Sequence, residues 1–377
     1  MTREVPRATS ASVRKGVLIA GGGTGGHVVP GLAIARALIA GGMPIDDIHW
    51  VGSSRGMEVV DVPDAGIGLT VLPGRGLERR LTLANVANMF GILRAIPRAI
   101  GIVRKRRPSV VVCLGGYAAV PASIGAVVMR VPLVIQEQNA KPSLANRVVS
   151  RWARASAVLV AGTGLRNEVV TGNPLRDEIR VAVGRDASQA KVALGVDENS
   201  LLVLAFGGSL GSLRINIAVT ELAGDWMDRE DIAIHHVIGR RDWESFRARI
   251  RELDGNPLHY RAVEFESDMA TALAAADVVV CRSGGMTVSE VAALGVPSIM
   301  VPLPISPNDA QRHNARALVD EGAAVLVSDI ELTGERLASE LEKMLEGDLA
   351  SMAMRARQVG RPDASKEIAT LITGLMA

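Results

Sequence analysis

Aromatic side chains are scarce: four Phe, four Trp and two Tyr make up 3% of the 377 residues, too few for the stacking platforms that grip single-stranded nucleic acid. No nucleic-acid partner is expected. Cysteine is scarcer still. Cys113 and Cys281 each close a run of three valines, with no Cys or His at metal-ligand spacing, which argues against a disulfide framework or a zinc site and predicts buried, reduced thiols. No D-x-D tripeptide occurs, so neither a metal nor a cofactor is expected, and any leaving diphosphate would be neutralised by helix termini and arginine. No uncharged apolar stretch approaches the roughly 18 residues of a spanning helix. The run Val17 to Ala20, behind a polar and basic N-terminus, is too short for a signal-peptide core. The chain is expected to touch a membrane without crossing it, with residues 1–15 as a disordered tail.

What is present is aliphatic material: 48% of residues are hydrophobic and 22% charged, with mean hydropathy +0.24, enough for two globular cores at roughly 150 residues per domain. Net charge is only +2, yet the signs are segregated. From Arg75 to Arg107 the chain carries nine basic residues and one acid, Glu78, a net +8 that leaves −6 for the remainder. A positive patch on an otherwise acidic protein points to an anionic partner met on one face. Within it Leu83, Val86, Phe90 and Leu93 recur at helical spacing, with Met89, Ile92, Ile96 and Ile100 on the adjoining stripe. An apolar face with a cationic flank suits an anionic lipid surface; a core helix with a solvated basic end is the competing reading.

Short aliphatic runs recur at 17–20, 48–51, 110–114, 133–135 and 157–160, and again at 201–206, 235–238, 278–281, 298–301 and 323–327. Continuous rather than alternating hydrophobicity marks strands buried on both faces, so parallel sheets wrapped by helices are predicted. The halves also echo each other: VLIAGGGTGGH at 17–27 matches VLAFGGSLGS at 203–212, and VVVCLGG at 110–116 matches VVVCRSGG at 278–285. The predicted fold is α/β, two Rossmann-like parallel-sheet domains facing across a cleft. The first spans 16–172 and the second 173–355, with the boundary in the turn-rich Thr171-Gly172-Asn173-Pro174. A last helical segment, 356–377, is free to pack on either domain.

Gly21 to Gly26 satisfies G-x-G-x-x-G after a strand, and Pro30 follows in the first turn of a helix. A dinucleotide site also wants an acid at the tip of the second strand, where this chain reads Gly52-Ser53-Ser54-Arg55, so a nicotinamide oxidoreductase is discounted. What remains is a loop whose small residues let backbone N–H groups approach an anion or a sugar, or a structural turn without a ligand. His27, at the same junction, suits a general base; a capping or core histidine is the alternative. In the second half, Gly207 to Ser212 repeats the cradle, and Arg282 to Glu290 supplies another helix N-terminus with a carboxylate one turn in, fit for a ribose diol or for a capping box from Thr287 to Glu290. Gln311 and Asn314, three apart on one helix face, could read sugar hydroxyls or be plain surface.

In order along nearly the whole chain stand GGGTGGHVVPGLAIA, GGYAAVP, EQNAKPSLANR, TGNPLR, FGGSLGS, CRSGGMTVSE and DAQRHNA. This string resembles the MurG family, the lipid-linked N-acetylglucosaminyltransferases of peptidoglycan synthesis in glycosyltransferase family 28. The resemblance implies a GT-B fold and transfer of GlcNAc from UDP-GlcNAc to undecaprenyl-pyrophosphoryl-MurNAc-pentapeptide (lipid I). The product would be the β-1,4-linked disaccharide lipid II, made by a peripheral protein on the cytoplasmic face of the plasma membrane and docked through residues 75–107.

Carried over by motif, Thr24, Gly25, Gly26 and Asn139 would line the acceptor side, and Tyr117 would also meet substrate. Arg176 and Ser209 would contact the diphosphate. Gly285, Met286, Thr287, Val288, Ser289 and Glu290 would hold phosphate and ribose, with Glu290 on the diol, and Gln311 and Asn314 would read GlcNAc. Glu266, where the family often has an aliphatic residue, would meet uracil through its backbone, and Ala310 replaces a commonly polar residue. The implied reaction is an inverting, metal-independent single displacement in which His27 takes the acceptor proton. A UDP-GlcNAc 2-epimerase is the alternative on this architecture but needs no lipid surface, and a non-catalytic sugar-nucleotide sensor would not need His27.

Overall fold

A computed structural model describes residues 16–73, 83–208 and 210–376. Its first sheet holds β1 (Val17–Gly21), β2 (Ile48–Gly52), β3 (Gly68–Val71), β4 (Val110–Gly115), β5 (Leu133–Glu137), β6 (Ala155–Val158) and β7 (Glu168–Val170), in the spatial order 3-2-1-4-5-6-7. The second holds β8 (Leu201–Phe206), β9 (Ile232–Val237), β10 (His259–Val263), β11 (Val278–Cys281), β12 (Ser298–Met300) and β13 (Ala324–Leu326), in the order 10-9-8-11-12-13. Every ladder is parallel. The fold is the expected pair of α/β domains.

Central strands are aliphatic throughout because helices cover both faces. In the first sheet Leu18, Val111 and Ile135 enter one core and Ile19, Val112 and Val134 the other. The edge strands β3, β7 and β10 are partly exposed, and no continuous apolar run announces them. β6 starts two residues before the run at 157–160, since Leu159 and Val160 are only half-buried and lead toward the domain junction. Both cysteines are buried and free, and burial pushes the Cys113 thiol up to about 11 and that of Cys281 up as well.

Strand order reverses between β1 and β4 in one domain and between β8 and β11 in the other, and the crevice outside the carboxyl ends of such strand pairs is where doubly wound folds bind ligands. The chain passes between the domains twice. Beyond the second passage the Ala364–Gly374 helix buries Ile368, Ala369 and Ile372 in the core of the first domain, alongside the Gly25–Ala40 helix. Among the described residues no helix is long and apolar enough to cross a membrane.

Candidate active site

At the end of β1 the glycine loop is clamped from beneath by Glu58, a fully buried carboxylate that accepts from Gly23 N (2.8 Å), Ser53 N (2.8 Å) and Ser53 Oγ (2.7 Å). An acid does follow β2, then, but it is turned inward and holds the loop rather than facing a ribose. In the first turn of the Gly25–Ala40 helix His27 N and Val28 N donate to Thr24 O (3.0 and 3.1 Å), which leaves the N–H groups of Gly25 and Gly26 at the open end of the helix. His27 stands in that turn, half-buried, with Nδ1 3.3 Å from Thr24 Oγ1. Gly115, at φ 98°, ends β4 beside it: a Cβ there would lie 3.0 Å from His27 Nε2, so only glycine leaves that nitrogen room. Burial lowers the pKa of His27 below 6.5, against the pull of Glu58. The imidazole is therefore neutral at pH 7, the form that can accept a proton.

The EQN loop after β5 is organised by Glu137, buried and accepting from Asn139 N (3.0 Å), Ser143 N (2.9 Å) and Asn146 Nδ2 (2.9 Å). Burial raises its pKa and these hydrogen bonds pull it back. From this loop the first domain reaches the second. Ala140 N donates to Asn314 Oδ1 (2.8 Å), while Asn314 Nδ2 donates to Asn139 Oδ1 and to Ser283 O (both 3.1 Å). A second strut is Asn173, fully buried at the junction, whose Nδ2 faces Gln138 O, Ser289 Oγ and Gly285 O at 2.9, 3.0 and 3.1 Å while Oδ1 accepts from Gln136 Nε2.

Across the cleft, a cavity of about 780 Å³ opens between the loops after β8 and β11, lined by Gly207, Gly211, Arg241, Arg282, Thr287 and Gln311. Arg282 is held by Asp329 (2.6 Å) and by the carbonyls of Val301 and Pro302. Glu290, one turn into the Gly285–Leu294 helix, is paired with Arg176 at 3.1 Å; burial raises its pKa and the guanidinium lowers it. Gln311 Oε1 accepts from Leu303 N at 2.8 Å, which leaves its amide N–H groups for a ligand. Asn308 and Asp309, both in the left-handed region (φ 52° and 53°), turn the chain into that helix; these are residue types that tolerate such backbone. A separate groove of about 570 Å³ behind the junction has its cations spent on acids, Arg36 and Arg180 on Asp177 and Lys366 on Asp363.

The structure therefore brings Thr24, Gly25, Gly26 and His27 to one side of the cleft and Thr287 and Gln311 to the cavity across it, with Glu290 a turn beyond Thr287 and paired with Arg176; Met286 is half-buried in the same first turn, and Gly285 is packed on Gln138 O, where a Cβ would lie 2.0 Å away. Five predicted side-chain contacts depart from the expectation. Val288 is in the hydrophobic core and Ser289 is turned onto Asn173 and Gly285 O, because positions three and four past Gly285 fall on the inner face of the helix. Asn314 is fully buried with its amide engaged, so here it ties the domains instead of facing a sugar. The Tyr117 hydroxyl donates to the carbonyls of Pro73 and Gly91, pinning the segment that leads into the basic helix. Asn139 is likewise engaged, with Glu137 and Asn314. Ser209 lies outside the described residues.

Models of the glycosyltransferase family 28 N-terminal domain and C-terminal domain match residues 17–158 and 202–368. The chain is 36% identical over 369 residues to a Desulforudis audaxviator protein named UDP-N-acetylglucosamine--N-acetylmuramyl-(pentapeptide) pyrophosphoryl-undecaprenol N-acetylglucosamine transferase, covering 95% of this chain and 98% of that one. Its fold superposes on the crystal structure of Acinetobacter baumannii MurG with a TM-score of 0.79 at 30% identity, over 96% and 99% of the two chains. A putative UDP-N-acetylglucosamine 2-epimerase from Listeria monocytogenes shares the fold at 17% identity and a TM-score of 0.68, over 96% of each chain. Two doubly wound domains with these loops, together with that extent of likeness, establish that the chain belongs to glycosyltransferase family 28.

Proposed function

We propose that this protein transfers GlcNAc from UDP-GlcNAc to the MurNAc C4 hydroxyl of lipid I, with inversion and without a metal ion, to give lipid II. The observation that carries the reading is the division of labour across the cleft. A neutral His27 stands at the reversal point of one sheet, while at that of the other lies an arginine-lined cavity with Gln311 on its wall and the Glu290–Arg176 pair on the helix that borders it. The N–H groups of Gly25 and Gly26, at the start of the Gly25–Ala40 helix, suit the acceptor diphosphate, and His27 takes the proton of the attacking hydroxyl. On the donor side Glu290 accepts from the ribose diol, and Arg176 with the N-terminus of the Gly285–Leu294 helix offsets the charge that develops on the departing UDP.

The membrane-facing element is the Leu83–Arg106 helix. It buries Ala95, Ala99 and Val103 in the first domain while Leu93, Arg94, Arg98 and Arg104 to Arg107 are exposed. Arg75, Arg79 and Arg80 of the same basic stretch, and the side chains of Leu83, Val86, Met89, Phe90 and Ile92, lie outside the described residues. This arrangement supports docking on anionic lipid at the cytoplasmic face, since each near-surface cation adds about 1 kcal/mol of attraction.

Incubation of UDP-GlcNAc labelled in the sugar with a polyprenyl-diphosphate MurNAc-pentapeptide should yield a labelled lipid-linked disaccharide. Conversion of UDP-GlcNAc to UDP-N-acetylmannosamine without any lipid acceptor would instead identify an epimerase.

A further inference from the structure

The loop that ends β4 touches two parts of the first domain at once. Toward the cleft it is interleaved with the glycine loop after β1: a Cβ on Gly116, at φ 79°, would lie 2.7 Å from Gly22 O, and Gly115 borders His27. That contact leaves no slack between the two loops. On the other side, the Tyr117 hydroxyl donates to the carbonyl of Pro73, just past β3, and to that of Gly91 in the Leu83–Arg106 helix, 3.3 Å away. These acceptors lie 44 and 26 positions earlier in the chain, so one hydroxyl ties three separate stretches together. The Tyr117 ring packs against the core that holds Ala95, Ala99 and Val103. Gly91 is one turn before Ala95, on the inner face of the same helix. Toward its basic end that face is seated by steric fit: a Cβ on Gly125, in the Ala119–Val128 helix, would lie 3.1 Å from Val103 Cγ2 and 3.2 Å from Ala99 O. At Gly91 the Tyr117 hydroxyl does the seating, while Leu93, Arg94 and Arg98 are exposed.

We propose that Tyr117 is a positioning residue for a membrane-anchored acceptor: its hydroxyl holds the lipid-facing helix in register with the loop beside His27 and so sets the height of the base above the bilayer. The inference rests on the transferase reading above and goes beyond it in giving Tyr117 a role that no substrate contact supplies. An acceptor dissolved in water approaches His27 from any height. One whose diphosphate is held at a lipid surface presents its hydroxyl at a height fixed by its own head group, and a general base must come within about 2.6–3.2 Å of it. A misplacement of about 1 Å can cost about 10²-fold in rate, so a single tether between the docking helix and the catalytic loop matters for the anchored acceptor alone.

The test is Tyr117→Phe, which keeps the ring in the core and removes only the hydroxyl. Two acceptors are compared: the polyprenyl-diphosphate MurNAc-pentapeptide in vesicles of phosphatidylcholine and phosphatidylglycerol, and the same head group on a short, water-soluble chain. Against the vesicle acceptor kcat/KM should fall about tenfold, the worth of one net hydrogen bond, while the short-chain acceptor changes by less than about twofold. Binding of UDP and of empty vesicles should match the wild type. Amide exchange around Gly91 should quicken, with protection near Val103 retained. A parallel loss for both acceptors would show a substrate contact or a purely structural role and overturn the inference. So would unchanged exchange at Gly91, or a wild-type rate on vesicles. Failure of the wild-type protein to glycosylate either acceptor is a distinct result, and it would overturn the transferase reading itself.

Discussion

The two glycine loops occupy equivalent places on equivalent sheets and differ in what holds them. The loop after β1 rests on the buried carboxylate of Glu58 and has a neutral imidazole beside it. The loop after β8 is closed by backbone: Gly211 N donates to Gly208 O at 2.9 Å, and Gly211, at φ 79°, packs so closely that a Cβ would sit 2.1 Å from Ile238 O. The nearby acids Asp242 and Asp329 are each paired with an arginine that lines the cavity. Topology therefore decides where a ligand sits, while the side chains under and around each loop decide which charge the place favours. One loop suits the loss of a proton from a hydroxyl, and the other the departure of an anion.

The sharpest way to break that contrast is at His27. His27→Ala should lower kcat by about 10²- to 10⁴-fold, the range of general-base contributions, with UDP affinity unchanged; a parallel loss of UDP binding would mean that the loops are not specialised. Because burial depresses the pKa of His27, the neutral base persists as pH falls through 6.5 and is lost only as pH drops through the lower folded value. The acid limb of kcat should accordingly lie below pH 6.5, and a limb above it would argue for a different base.

On the opposite side, Glu290→Ala should weaken UDP binding by about 10- to 100-fold, the scale of a charge-assisted hydrogen bond, while single-turnover transfer at saturating donor changes little. An unaltered isotherm would remove the ribose role. Smaller again is the effect of Glu58→Ala, which orphans the N–H groups of Gly23 and Ser53. It should cost about 1–3 kcal/mol, read as a lower melting temperature and a reduced kcat with UDP affinity intact. If UDP affinity fell instead, the clamp would serve both domains.

How much of this was legible beforehand follows from the range of the interactions. Central strands announce themselves because burial on both faces demands unbroken aliphatic runs. β3, β7 and β10 do not, because an edge strand is half-solvated. The glycine loops, His27, Glu290 and Gln311 were readable as small or polar residues at strand-to-helix junctions. Glu58 as the clamp of the glycine loop, Asn173 and the interdomain role of Asn314 were not, since the partners that give them those roles, Gly23, Gly285 and Asn139, lie 35, 112 and 175 positions away and leave no local pattern. Val288 and Ser289 are a different case: the motif carried them into the site as neighbours in sequence, although helical periodicity already turns them inward from Gly285.

The smallest expected effect tests whether the buried polar network of the second domain is as acid-sensitive as its burial implies. His236 is fully buried between Tyr260 Oη (2.9 Å from Nδ1) and Asn216 Oδ1 (3.1 Å from Nε2), and burial, helped by the neighbouring His235, lowers its pKa to about 3. The unfolded chain takes up that proton near 6.5, so between those values it binds one proton more than the folded protein, and stability must fall as pH falls. The slope is about 1.4 kcal/mol per pH unit for this residue alone. Urea unfolding followed through exchange of the β8 and β11 amides at pH 6 and pH 5 should show a loss that His236→Gln reduces by roughly 1 kcal/mol. Exchange of the β1 and β4 amides should keep its pH dependence in the same variant, because the first domain draws its acid response from other groups. An unchanged slope in the β8 and β11 amides would assign the proton elsewhere.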